Sequence, residues 1–418
     1  MSTREIIEAH SSSIKLGVVN SQIASVRTQV ENETAVRVYK DDCVGVASAV
    51  GDADLEALTQ SATDALIFEI PYPVAPESDR VLSTRHEGTE RNVSGLVSVA
   101  EEVLDALRTD FPNFVFSHGV EQNKVGWRIH NEIGLMLDYQ RITTQVAFVA
   151  KEKGSGNIID TFVGVEGPTL DVDGMLTEFR SHLSAYAESR PARTGRQRVI
   201  FPGLAGMASA GLFQMLRSDL SATSYAQGAS LFEGKVGDGR AWFSDKLDLF
   251  DCRDPELQRV CPFDMEGVVR DSLNLDIVNG GRLMNIAASK RDAERYGLPS
   301  TGTAVGGVSQ LPVSGFGALG GRATAPKLAD LLDDDGGLLV WFVAGGDTTR
   351  TGDMAFPAMV VLEVDAAGRP IGRVPGCTLT GNIFDVFGDD FVGITNETVD
   401  PFSTEPFFVT HMNVNAAG

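Results

Sequence analysis

Carboxylates at three places in the chain have the residue types that acid–base chemistry or a hard cation would need. Asp264 and Glu266 lie inside the otherwise apolar segment 261–272 and precede Gly267. Acidic runs also occur at residues 333–335 and 389–390. Such oxygen ligands suit a hard cation. A solvated turn explains residues 333–335 equally well, and we interpret Asp264 and Glu266 as parts of a shaped turn with fixed hydrogen bonds.

A glycine-rich motif and a serine resemble nucleotide-binding and hydrolytic signatures, but their contexts argue against both. Residues 315–320 fit G-x-G-x-x-G, yet Pro312 interrupts the strand that a dinucleotide site requires before the motif. A loop leading into a helix near 326–332 is the favoured interpretation. Ser209 would need glycine two residues earlier to form a nucleophile elbow, and the sequence has Met207 there. We therefore expect a serine within a packed helix.

Histidines and cysteines are dispersed along the chain. The six histidines show no HExxH spacing. The four cysteines indicate reduced, mostly buried thiols and not a disulfide framework. Cys252 and Cys261 lack the CxxC spacing or nearby histidine of a zinc site. We expect no metal or cofactor in this chain.

Composition narrows the class of protein and its partners. The 418 residues suggest two domains of about 200 residues each. Lys+Arg 35 against Asp+Glu 57 gives a net charge of −22, which argues against nucleic acid or an anionic membrane as partner. No apolar run of about 18 residues occurs, and residues 1–13 lack the apolar core of a signal peptide. We therefore expect a cytoplasmic protein.

Alternating apolar residues predict a strand meander over residues 13–50, with turns at 20–21, 31–32 and 41–42. Helices are predicted from about Asp52, over 94–107 and over 172–187, and strands over 114–118, 124–130, 135–150 and 158–163. Runs of strands with helices between them are typical of an α+β fold with an antiparallel sheet. The basic segment 189–198 divides the chain into predicted domains 1–195 and 196–418.

The stretch 196–220 is predicted to form the central strand–turn–helix unit of the second domain. A short β-like run and a Pro-Gly break precede a predicted long helix, whose apolar or small residues recur at three-and-four spacing. These residues are Leu204, Met207, Ala208, Gly211, Leu212, Met215 and Leu216. A short helix near 218–232 and a Gly-rich, strand-rich remainder are expected to follow.

Five segments in order resemble signatures of the TldD/TldE (PmbA) family. They are VRVYKDDCVGVASAV at 36–50, PFDMEGV at 262–268, YGLPSTGTAVGG at 296–307, TRTGDMAFPA at 349–358 and GRPIGRVPGCTLTGNIFDVF at 368–387. The resemblance implies an N-terminal α+β domain and a C-terminal domain dominated by a strongly curved, mainly antiparallel sheet. It also implies a link to proteolysis, because TldD-like members are metallopeptidases with a helical HExxxH motif and a later cysteine.

TldE-like members of that family lack the motif and pair with a TldD-like subunit, enclosing a chamber that degrades unfolded peptides or trims modified ones. Laid on this chain, the motif histidines fall on Met207 and Leu212, the glutamate on Ala208 and the cysteine near Thr395. Catalytic zinc needs about three N, O or S donors, and a thioether is a poor one. The resemblance thus implies a TldE-like subunit whose zinc is carried by a TldD-like partner.

The predicted lining residues are chosen only from their positions within the matched segments. Asp264, Glu266, Ser300, Thr301, Gly302 and Asn382 are predicted to line the chamber or an interface. Two other functions remain open. The chain could be a self-sufficient hydrolase that uses Asp264, Glu266 or a converged histidine, or a homodimeric peptide-binding scaffold with no enzyme partner.

Overall fold

The computed structural model describes residues 2–206 and 208–416. Strands make up 43% and helices 19%, so the fold is α+β, as predicted. A mainly antiparallel first sheet and a strongly curved second sheet are both present, which confirms the expected fold class. Within the described ranges, no helix has the length and hydropathy to cross a membrane.

The first sheet is formed by strands from the N-terminal part of the chain. They are β1 (Thr3–Val19), β2 (Gln22–Lys40), β3 (Cys43–Val50), β4 (Val81–His86), β5 (Phe114–Asn131), β6 (Met136–Glu152) and β7 (Thr161–Gly167). Their order is β3-β2-β1-β5-β6, and both β4 and β7 pair with β6. The β4–β6 pairing is parallel and the others are antiparallel.

Two tight turns join the first three strands where the sequence predicted turns. Asn20, Ser21, Asp41 and Asp42 all have positive φ, between 50° and 62°, as a two-residue hairpin turn requires. Two expectations were wrong. β1 begins at Thr3 and not near residue 13, and the turn predicted at 31–32 lies within β2, because Asn32 pairs with His10 on β1.

Helices α1 (Leu55–Asp64), α2 (Val93–Asp110) and α3 (Val172–Ala187) belong to the same part of the chain, and a 3-10 helix (Ala65–Phe68) follows α1. Asp54 caps α1 by accepting the N–H groups of Glu56 and Ala57, two residues later than the predicted cap. α2 and α3 bury their leucines and Phe179 in one core with Phe148 of β6. Helix α3 has the predicted bounds.

The remaining strands are β8 (Gly195–Pro202), β9 (Leu249–Cys252), β10 (Asn274–Asn279), β11 (Arg282–Leu283), β12 (Ala304–Val305), β13 (Val313–Ser314), β14 (Ala318–Gly321), β15 (Gly337–Val343), β16 (Asp347–Thr348), β17 (Asp353–Val364), β18 (Pro370–Val374), β19 (Cys377–Asn382), β20 (Phe391–Thr398) and β21 (Pro406–Ala416). The helices are α4 (Ala210–Asp219), α5 (Ala222–Ala226), α6 (Lys290–Tyr296), α7 (Ile383–Val386) and a 3-10 helix (Leu328–Leu331).

The second sheet closes on itself like a barrel. Pairing runs β15-β8-β21-β19-β17, and β17 pairs back to β15. Within this ring the β15–β8 pairing is parallel and the others are antiparallel. Successive residues of β8 pack on opposite sides: Val199 and Phe201 join the core around α4, whereas Ile200 joins the core that contains α2 and α3. Packing is therefore continuous between the two sheets, and the division at 195/196 stays a prediction.

Three helix predictions in this half need correction. The long helix expected from residue 204 begins at Ala210, and the helix expected over 218–232 is reduced to α5. The segment 326–332 contains a 3-10 helix, and the end of the glycine-rich motif forms β14, paired with β9. The late start of α4 is explained by the turn at residues 203–205, described below.

Candidate functional site at the turn before helix α4

The chain reverses direction between β8 and α4 at Gly203, where φ is 86°. A Cβ at this position would lie 3.1 Å from Glu405 Oε2, so glycine meets both a conformational and a steric requirement. The Leu204 N–H donates to that same Oε2 at 2.7 Å, and the Gly203 N–H donates to the Pro406 carbonyl at 2.9 Å. These bonds hold residues 203–205 in a turn, which is why the helix begins later than predicted.

Helix α4 is a core element. Leu212 is 1% exposed, and Phe213 packs against Phe408 and Phe387 with ring centroids 5.1 and 5.5 Å apart. Ala208, just before the helix, is also buried. A Cβ added to Gly211 would lie 2.7 Å from the Phe356 ring, so this glycine permits close packing of the helix against β17. The face of the helix that enters the core is therefore apolar.

Thr395 on β20 is buried, and its hydroxyl bonds to two backbone groups. Its Oγ1 donates to the Glu397 carbonyl at 2.6 Å and accepts the Phe407 N–H at 2.9 Å. Residues 405–407 thus bond both to Thr395 and to the turn at 203–205. The structure brings the turn and Thr395 to one segment, as a shared site would require. Met207 lies outside the described residues.

These positions do not fit zinc. Ala208 and Leu212 carry no donor atom, and the Thr395 hydroxyl is committed to backbone groups. Across residues 2–206 and 208–416, no group of three or more His, Cys, Asp or Glu side chains lies close enough together to hold a metal ion. That these positions correspond to the family's metal motif stays a prediction.

Glu405 is the residue at this turn that sequence reasoning missed. Burial raises the pKa of its carboxyl, while the bonds from Leu204 and Ala205 lower it. Glu405 follows Leu204 by about two hundred residues, and the sequence gives no sign of their contact beyond the turn-forming residues 400–406. Its carboxylate positions the backbone of the turn.

Asp264 and Glu266 are 1% and 2% exposed, so neither side chain reaches the chain's own surface. The Asp264 carboxylate accepts the N–H groups of Glu266, Val268 and Ala304 at 2.9–3.0 Å. Burial raises its pKa, and these bonds lower it. The geometry agrees with a shaped, hydrogen-bonded turn and does not give these carboxylates access to a substrate.

Glu266 connects the two halves of the chain. Its Oε1 accepts the Tyr72 hydroxyl at 2.7 Å, and its Oε2 accepts the Lys290 N–H at the start of α6 at 2.6 Å. Arg37 of β2 is completely buried and donates to the Met265 carbonyl at 2.8 Å and to Glu5 at 3.4 Å. The family-like segment 262–268 therefore fastens the second half to the first sheet.

The other predicted lining residues lie in different environments. Ser300 is exposed, whereas Gly302 is buried with φ of 60° against Val268. The Thr301 hydroxyl accepts the Ala288 N–H at 2.9 Å. Asn382 caps α7 and donates to Asp353 at 3.0 Å. These contacts are structural, and Ser300 remains accessible to a partner.

The remaining sequence candidates also have structural partners. Ser209 is fully buried and donates to the Gly206 carbonyl, and Asp333 pairs with Arg198 at 2.7 Å. Burial raises the pKa of the Cys252 and Cys377 thiols to about 11 and that of Cys261 to about 12, so all three stay protonated near neutrality. None of these groups is prepared for nucleophilic attack.

A closed, curved sheet that packs against the apolar face of a helix, together with a mainly antiparallel sheet and its helices, defines a two-sheet α+β class of protein. Residues 194–416, more than half of the chain, match the family model of the PmbA/TldA metallopeptidase C-terminal domain. The chain belongs to the TldD/TldE (PmbA) family of metallopeptidase-related proteins.

Solved structures show the same fold over the full length. TldE from Thermococcus kodakarensis is 19% identical with a TM-score of 0.79, covering 99% of this chain and 97% of that one. Proposed DNA gyrase modulators from Thermotoga maritima and Bacteroides thetaiotaomicron are 17% and 15% identical, each with a TM-score of 0.73, and cover 99% and 100% of this chain and 96% and 94% of theirs. No curated protein sequence matches the chain.

Proposed function

We propose that this chain is a TldE-like, non-catalytic subunit that pairs with a TldD-like metallopeptidase and forms part of the wall of its peptide-processing chamber. The observation that carries the proposal is the apolar packing of Ala208 and Leu212 beside the turn held by Glu405. A hydrolytic zinc needs about three donors and a base for its water. The zinc and the base would therefore come from the partner subunit, in the cytoplasm where we expect the complex to act.

The substrates that we propose are unfolded or modified peptides, held through backbone hydrogen bonds. Residues 22–31 of β2 pair with β1 on one edge, and among the described residues they pair with no strand on the other. Such an edge can add an extended peptide as a further strand, independently of most of its sequence. A folded protein has no free extended segment to offer, so the edge would select unfolded chains.

The self-sufficient hydrolase is less well supported. Asp264 and Glu266, the carboxylates on which it depended, are buried and already bound to backbone and tyrosine donors. A general base must reach the proton that it abstracts within hydrogen-bonding distance. Neither carboxylate lies where a substrate could meet it.

The proposal is tested by co-expression with an HExxxH-bearing family member, followed by affinity purification, zinc analysis and hydrolysis of an unfolded casein. We expect the two chains to co-purify and the complex to contain zinc. The complex should hydrolyse casein, whereas this chain without its partner should not. The matched control is the partner with its motif glutamate replaced by glutamine, which should still bind this chain and lose hydrolysis. Hydrolysis by the isolated, repeatedly purified chain would refute the proposal, and self-association without partner binding would favour the homodimeric scaffold.

A further inference from the structure

A cavity of about 580 Å³ lies between helix α3, strand β7 and the barrel. It is partly open and is large enough for a ligand the size of one or two amino acids. Leu339 and Trp341 of β15 form its barrel side, and residues 396–401, at the end of β20 and directly after it, also line it. The candidate site described above and the peptide edge of β2 do not use this cavity.

The charged side chains that line this cavity are acidic, and Arg259 lies near Asp400 without lining the cavity. Its lining includes the carboxylates of Glu178, Glu397 and Asp400, and no lysine or arginine is among the described residues that line it. Asp400 accepts the N–H groups of Phe402 and Ser403, whereas Glu178 has no hydrogen-bond partner among the described residues. Burial raises the pKa of the Glu178 carboxyl, and the nearby charge of Asp400 raises it further. A cation between the two would relieve this repulsion.

Two ring systems complete the lining. His182 is 6% exposed; its Nε2 pairs with the Thr161 hydroxyl at 2.7 Å, and its Nδ1 has no partner within the described part of the chain. The Trp341 ring lies against His182 with centroids 4.7 Å apart and planes tilted by 44°, and its Nε1 donates to the Phe162 carbonyl at 2.9 Å. The cavity thus offers an aromatic wall and an unused, nearly buried polar atom besides its carboxylates.

We propose that this cavity binds the side chain of an arginine or lysine residue, with its cationic end between Glu178 and Asp400 and its aliphatic stem along Trp341. Opposite charge at the end of an apolar stem matches carboxylates at the rim of an aromatic wall. A hard metal ion fits this cavity less well, because such an ion needs six or more oxygen ligands and one side of the cavity is aromatic. The inference does not rest on the proposed peptidase role.

Isothermal titration calorimetry of the full chain tests the proposal with Nα-acetyl-arginine amide and Nα-acetyl-lysine amide as probes. Nα-acetyl-citrulline amide has the shape of the arginine probe without its charge and serves as the neutral control. We expect both cationic probes to bind and the citrulline probe to bind at least about tenfold more weakly, as expected for loss of a charge-assisted contact. Salt should weaken the binding of the cationic probes.

Matched variants locate the site. Glu178→Gln and Asp400→Asn keep the shapes of the side chains, and the amide introduced by Asp400→Asn retains an oxygen that can accept the Phe402 N–H. We expect each variant to weaken binding of the arginine probe by about tenfold, whereas the exposed helix substitution Glu56→Gln leaves it unchanged. Equal binding of the citrulline probe, unchanged binding by both cavity variants, or no binding of either cationic probe would overturn the proposal. Circular dichroism confirms that each variant remains folded.

Discussion

The turn before α4 and the turn at residues 262–268 differ in the kind of side chain that they bury. The first buries Ala208 and Leu212, where the family resemblance places metal-site residues. The second buries Asp264 and Glu266, which are 1% and 2% exposed. The sequence already has apolar residues at the first turn, whereas Asp264 and Glu266 at the second were predicted to line the chamber or an interface.

This difference shows that a buried charged group needs hydrogen-bond partners to offset the cost of its desolvation. Asp264 has three N–H donors around its carboxylate, so the cost of desolvating its charge is offset by local hydrogen bonds. A zinc ligand without zinc would have no such partner and would destabilise the core. An apolar residue such as Leu212 avoids that cost and packs in the core around α4.

The largest effect on the turn at residues 262–268 is expected from the buried Arg37, which donates to the Met265 carbonyl. Arg37→Met removes the bond to the Met265 carbonyl and leaves Glu5 buried without its cation. We expect a loss of about 3–5 kcal/mol in the free energy of unfolding, measured by urea denaturation. Arg128→Met is the matched control on β5, because Arg128 is half exposed in its pairing with Asp138, and the expected loss is below about 1 kcal/mol. Equal losses would mean that burial does not decide the value of these pairs.

Leu212→Ala tests the other side of the comparison. Removing a fully buried side chain from the core around α4 should cost about 3 kcal/mol of unfolding free energy, through lost contacts and a cavity. Leu257→Ala, at a 49% exposed position, is the control and should change stability by less than about 0.5 kcal/mol. A small loss at Leu212 would show that α4 is not held by packing.

Leu212→His tests the same helix by introducing one donor atom into the core. We expect the unfolding free energy to fall below that of Leu212→Ala. The imidazole would be buried among Ala208, Phe213 and Leu216, with no second donor on the described part of the helix. Added Zn²⁺ should leave the melting temperature of the variant unchanged. A zinc-dependent rise would mean that the turn still holds a latent metal site.

The fold could be predicted further than the site, and the reason is the range of the contacts. α3 was predicted with its bounds because Asp171 caps it locally and its apolar spacing lies within one segment. The start of α4 was mispredicted because Glu405, far along the chain, fixes the turn before it. The burial of Asp264 likewise depends on Ala304, and no local pattern reports that contact.

His182 extends the comparison to a polar group that is buried in its neutral form. Burial lowers the pKa of its ring to about 3 from an ordinary 6.5, so between these values the unfolded chain binds a proton that the folded chain does not. Stability therefore falls as pH drops through this window, and relative to His182→Gln the wild-type chain should lose about 2 kcal/mol between about pH 7 and pH 5. Thr161→Val removes the hydroxyl partner but leaves the ring buried, so it should keep this pH dependence. Parallel stability curves for the wild type and His182→Gln would show that the ring binds its proton equally well in the folded and unfolded chains, and below its ordinary pKa of 6.5 the cavity beside α3 would then contain a positive charge.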